Sequence, residues 1–203
     1  MGDKTLRHHR GDFLFLVPLR GIVLIRYRAS CEHIPVETSA EHVVGIMRLV
    51  GDYTSPKPGF GEISLECRYM GQDLPNPPSV EGWHGGKEWI DTGILVERVN
   101  FGAKQLGDVN KPGVQRIIER LRGQGEWSPA HLVDGCLDLL GPLTVNARTR
   151  AALVNFVSQG GPLRLDRGDH AADQRVGELL PLIAATREFQ MAQYCVRLIA
   201  PPV

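Results

Sequence analysis

The chain of 203 residues carries no net charge, 23 Lys and Arg standing against 23 Asp and Glu. It therefore lacks the broad basic field that nonspecific nucleic-acid binding draws on, and nucleic acid is not an expected partner. Cysteine is scarce, with only Cys31, Cys67, Cys136 and Cys195 present. None forms a CxxC pair and no HExxH or HxxxH accompanies them, so the spacing encodes neither a metal site nor a thioredoxin-type redox motif. These thiols read as small buried hydrophobes, with a disulfide between two of them left open. There is no GxxxxGK[ST] and no GxSxG, so phosphate cradling of the usual kind and nucleophile-elbow hydrolysis are unsupported, and no cofactor is implied. No transmembrane segment is expected either. The nearest approach to one, Phe13 to Leu19 followed by Ile22 to Ile25, is split by Pro18 and Arg20.

What is abundant is glycine, 23 residues, and proline, 14, set in a chain that is 42% hydrophobic. A chain of that make-up folds, with long glycine- and proline-rich connections. Residues 1–35 differ from the rest. A basic start (Lys4, Arg7, His8, His9, Arg10) precedes the broken apolar run, in the order of a secretory signal, and Arg28-Ala29-Ser30 before Cys31 is a poor cleavage site or lipobox. A divergent apolar arm, a weak signal and a displaced start site all fit this stretch. Localisation follows from that choice, exported or envelope-bound in one case and cytoplasmic in the other.

From residue 36 the pattern is helical, and residues 36–203 form one expected domain. Thr38 followed by Glu41 is a capping-box pair, Val43, Val44, Met47 and Val50 recur at helical spacing, and Gly51 supplies the stop. Tyr53 to Gly61 holds two prolines and is expected to be loop. Ile63, Cys67, Met70 and Leu74 predict a second amphipathic helix ending before Pro75. Asp91 or Thr92 can cap a third, with Ile94, Leu95, Val99 and Leu106 inward and Gly107 closing it. Val114, Ile117, Ile118 and Leu121 mark a fourth. Ser128-Pro129 opens a fifth on Leu132, Val133, Cys136, Leu139 and Leu140. Thr144 can open a sixth, with Leu153, Phe156 and Val157 inward. Val176, Leu179, Leu180 and Ile183 make a seventh that Pro181 bends or splits, and Thr186 can start a short terminal helix through Phe189. No segment alternates with period two. The expected fold is all-α, an irregular domain of about seven helices with a long Gly/Pro/Trp-rich loop.

That loop, Gly71 to Asn100, holds Pro75, Pro77 and Pro78, then Gly82, Gly85 and Gly86 around Trp83 and His84, then Trp89. A connection of this length with two tryptophans is seldom a bare linker. Its segment Met70-Gly71-Gln72 through Asn100-Phe101, with Glu41-His42-Val43-Val44-Gly45, Met47-Arg48-Leu49, Leu179-Leu180 and Ala184-Ala185-Thr186-Arg187-Glu188-Phe189-Gln190, resembles the C-terminal part of the large bacterial family catalogued as domain of unknown function 1800. The resemblance spans roughly Val36 to Gln190. It implies a chain shorter than the usual member, without an N-terminal helical portion, and a role in envelope or extracellular work. It carries over no reaction, cofactor or catalytic residue. Ser39 stands where relatives often show proline, and Pro75 where a bulkier apolar residue is common.

Within the loop, Trp83, Trp89, Gln72 and Asn76 are candidate binding residues, since tryptophan faces and amides suit a glycan or peptide. Glu81, His84, Glu88 and Asp91 are candidate acid–base groups for glycan chemistry. The competing reading packs both tryptophans against the helices. Asp166, Asp169, His170 and Asp173 form a polar run without the alternation of a calcium loop. His42 and His131 read as ordinary helical histidines. Two functions follow: a non-catalytic helical interaction or scaffold module with a protein or glycan partner, or an enzyme acting on glycans or related polymers.

Overall fold

The computed structural model describes residues 37–52, 59–83, 89, 91–122, 125–141, 143–161, 163–166 and 169–191. The arm 1–35, the loop residues 53–58, and Cys31, Cys195, His84 and Glu88 lie outside them. The order is α1 (Ser39–Val50), α2 (Phe60–Tyr69), α3 (Thr92–Leu106), α4 (Pro112–Arg122), β1 (Glu126–Trp127), α5 (Pro129–Leu140), α6 (Ala147–Ser158), β2 (Leu163–Arg164), α7 (His170–Ala184) and α8 (Arg187–Met191). The fold is all-α. Among the described residues the one sheet is the antiparallel pair β1 and β2, which places Glu126 opposite Arg164 and Trp127 opposite Leu163.

Most helix ends follow from local chemistry. Thr38 and Glu41 close a full capping box on α1, and Gly51 ends the helix in the left-handed region at φ 65°. Asp91, Ser128 and Asp169 each turn a side-chain oxygen onto free N–H groups of α3, α5 and α7. Such a cap contributes about 1 kcal/mol by satisfying donors that the helix leaves orphaned. The cap of α6 is Asn146, not Thr144, with Oδ1 accepting from the Thr149 N–H at 2.9 Å. Proline at 181 does not split α7, which runs continuously from His170 to Ala184.

Further expectations change, beginning with Val44 of α1, which is exposed while Val43, Met47 and Val50 are buried. Phe60 and Gly61 belong to α2, so the loop ends at Gly59. That helix stops at Tyr69, and Leu74 lies beyond it, exposed on the loop. In α3 the buried positions are Arg98, Phe101, Gly102 and Leu106, while Leu95 and Val99 are only half-buried. Phe156 of α6 faces outward, leaving Leu153 and Val157 to pack.

The core is one continuous cluster that draws on every helix. Val176, Leu179, Leu180 and Ile183 of α7 are completely buried, and α3 packs against both α7 and α1. Between α4 and α7, both Asp173 oxygens accept from Arg122 Nη2 at 2.6 and 2.7 Å, and Glu119 also pairs with Arg122. Cys67 and Cys136 are buried free thiols. Burial pushes the Cys136 thiol up to about 12, which keeps it protonated and inert. Among the described residues, no helix is long and apolar enough to cross a membrane.

Candidate functional site

The start of the tryptophan loop is built by the end of α2. Met70-Gly71-Gln72 forms a Schellman stop: Gln72 N–H donates to the Cys67 carbonyl at 2.8 Å and Gly71 N–H to the Arg68 carbonyl at 2.9 Å. Gly71 sits at φ 81°, and a Cβ there would lie 3.1 Å from Ile94 Cδ1 of α3. Glycine is thus required twice, by the backbone and by the neighbouring helix.

The turn aims Gln72 back at α1. Its Oε1 accepts from the Ala40 N–H at 2.7 Å, while Ser39 Oγ donates to the Met70 carbonyl at 2.7 Å. Two orphan groups, a donor in the first turn of α1 and a carbonyl just past the end of α2, are satisfied across the interface. Gln72 is accordingly buried. Its amide oxygen is spent on the fold.

Farther along, Asn76 is exposed on a turn closed by its N–H to the Asp73 carbonyl at 2.7 Å. Ser79 to Gly82 make a second tight turn. Gly82 N–H donates to the Ser79 carbonyl, Glu81 N–H donates to Ser79 Oγ at 3.2 Å, and Gly82 takes φ 97°. Val80 and Glu81 stand at its tip, and Val80 is fully exposed. Trp83 follows, half-buried, with its ring centroid 5.9 Å from that of Trp89 and the two planes tilted by 48°. Trp89 itself is buried. Contact of this kind adds roughly 0.5–1.5 kcal/mol to the burial of the rings.

Asp91 caps α3 through Oδ1 on the Ile94 N–H at 2.9 Å. Of the four acid–base candidates, Glu81 is at the exposed turn tip and Asp91 at a helix start. His84 and Glu88 lie outside the described residues. Among the described residues no three His, Cys, Asp or Glu side chains converge as metal ligands would. In the polar run, Asp169 caps α7, Asp173 holds Arg122, and Asp166 lies 3.9 Å from Arg164.

A second polar centre went unseen in the sequence. Arg98 of α3 is completely buried. Its Nη1 donates to the Glu37 carbonyl at 3.1 Å, its Nε to Gln190 Oε1 at 3.2 Å and its Nη2 to the Gln190 carbonyl at 3.3 Å. Gln190 Nε2 in turn donates to the Ala184 carbonyl at 2.7 Å. The Arg98 carbonyl lies 3.2 Å from His42 Nε2. A carbonyl only accepts, so Nε2 carries the proton and Nδ1, which has no hydrogen-bond partner among the described residues, is bare. His42 also meets the Phe189 ring edge-on at 6.4 Å. Burial, reinforced by the Arg98 charge and only partly opposed by the bond to the Arg98 carbonyl, lowers its pKa to about 3. The imidazole is neutral at pH 7.

The segments that carried the resemblance therefore meet. Glu41-His42 lies on α1, Met70-Gly71-Gln72 grips α1, Arg98 lies on α3, and Glu188-Phe189-Gln190 lies on α8. Glu188 accepts from the Asn146 N–H and side chain and from Thr149 Oγ1, which ties α8 to the start of α6. A compact all-α module of this kind, knit by buried polar contacts between helices, is the class the fold defines. The pattern of the family described as protein of unknown function, DUF1800, matches residues 32–191, and the chain belongs to that family. No curated protein and no solved structure matches it.

Proposed function

We propose that the chain is a non-catalytic helical interaction or scaffold module of an envelope-associated system, with the tryptophan loop organising the helices and offering a face to a protein or glycan partner. The observation that carries this reading is the use made of the loop's functional groups. Gln72 serves α1, Asp91 serves α3 and Trp89 is buried beside Trp83. The loop leaves Leu74, Val80 and part of Trp83 outward beside the exposed Asn76 and Glu81, a mixed apolar and polar surface suited to contact with a partner.

The test sets binding against turnover. The purified chain is titrated with a panel of soluble glycans and, separately, used to capture proteins from a solubilised envelope fraction, with Trp83→Ala as comparator. Saturable binding of one glycan or one identified protein, weakened at least tenfold by Trp83→Ala with the variant still folded, is the expected result. Release of reducing ends from any glycan, abolished by Glu81→Gln or Asp91→Asn, would replace this reading with glycan hydrolysis.

A further inference from the structure

The buried guanidinium of Arg98 joins two places that are far apart in sequence. Glu37 is where the chain enters the helical body, two residues before α1, and Gln190 is one residue from the end of α8. Both backbone carbonyls are held by the terminal nitrogens of one side chain, Glu37 by Nη1 and Gln190 by Nη2. Entry and exit of the body therefore lie side by side, and neither bond is made by an exposed group.

The surroundings make the junction stiff. Arg98 is anchored mid-helix on α3, Gln190 is braced by its bond to the Ala184 carbonyl, and Phe189 beside it is buried edge-on to His42 of α1. If α8 lifts, Arg98 loses two acceptors at once, Gln190 Oε1 and the Gln190 carbonyl. A buried guanidinium cannot stay dry with its donors unsatisfied, so it must hydrate or turn outward. Turning outward takes Nη1 away from the Glu37 carbonyl, and water admitted beside it competes for that bond.

From this geometry we infer that Arg98 is a latch that makes the two ends of the helical body open and close together, so that displacement of α8 releases the entry to α1. The latch is a conformational device and does not depend on the partner reading above. Whatever pulls on one end of the body is felt at the other through Arg98, with the Phe189–His42 contact beside it.

Hydrogen exchange followed by mass spectrometry on the full chain tests this. Gln190→Ala removes the Nε acceptor and the brace while leaving Arg98 in place. Losing hydrogen bonds to a charged group raises the local opening equilibrium by about tenfold. A rise of that order is expected in peptides covering residues 37–42 and 186–191 alike, with peptides from α5 unchanged. Arg98→Met is expected to release the same two peptides if it folds. A rise confined to 186–191 would overturn the latch, and so would an equal rise across every peptide, which marks general destabilisation.

Discussion

Gly113 of α4 lies so close to Leu49 of α1 that a Cβ on it would sit 1.8 Å from the Leu49 carbonyl oxygen and 2.6 Å from the Val50 carbonyl carbon. Both obstacles are backbone and cannot rotate away. The start of α4 is thus seated against the end of α1 by the absence of a side chain.

Glycines elsewhere in the helices give a graded series. Gly113→Ala is expected to cost about 3 kcal/mol or to prevent folding, because overpacking against fixed backbone has no cheap relief. At Gly135 a Cβ would meet Trp127 and Leu121 side-chain atoms at 3.1–3.2 Å, and a smaller cost of about 1 kcal/mol is expected, since side chains give way more easily. Gly61 on α2 has nothing within 4 Å, so Gly61→Ala should stabilise by about 0.5–1 kcal/mol through helix propensity. Urea unfolding of the three variants checks the order.

Acid sensitivity is expected to begin well above the carboxylate range. His42 has a folded pKa of about 3 against 6.5 for the free side chain. Its stabilising contribution is complete above pH 6.5 and is lost as pH falls from there toward 3, because only the unfolded chain takes the proton. The slope approaches about 1.4 kcal/mol per pH unit, or roughly 2 kcal/mol between pH 6.5 and 5. Hydrogen bonding to Arg150 lowers the Asp134 carboxyl. Bonds from Asn146 and Thr149 lower that of Glu188 despite its partial burial, and both groups add their losses only at lower pH. Denaturant unfolding at pH 7, 6 and 5 should show a clearly shallower decline for His42→Gln than for the parent.

The Arg122–Asp173 contact should be costly to halve and cheap to replace. Asp173→Ala leaves the guanidinium partly buried with Glu119 as its remaining acid partner, at an expected cost of about 3 kcal/mol. The double replacement Arg122→Met with Asp173→Leu restores apolar packing and should recover most of that loss. A double-mutant cycle on unfolding free energies measures the difference.

Local signals were legible in the sequence where the physics is local. Thr38, Asp91 and Ser128 cap where an oxygen beside free N–H groups must cap, and the apolar stripe of α4 faces inward as its spacing requires. Arg98 was hidden for the opposite reason. Its partners, Glu37 and Gln190, lie 61 and 92 residues away, and a charged residue among apolar neighbours reads by default as solvent-facing. Leu74 was misplaced because its spacing suits a helix that Gly71 had already ended. Asn146 displaced Thr144 as the α6 cap because Glu188, 42 residues on, fixes that turn. The role of Gln72 was half visible: it stood out as a candidate binding amide, but only the fold shows that it serves α1.

The use of the tryptophan loop as structure underlies the whole functional reading, and one comparison tests it most directly. Unfolding free energies of Trp89→Ala and Trp83→Ala are measured beside the parent. Trp89→Ala is expected to lose about 3–5 kcal/mol, as removal of a buried tryptophan does, and Trp83→Ala markedly less. Trp89→Ala with parental stability but no partner binding or turnover would contradict the account, since Trp89 would then belong to a site and not to the core.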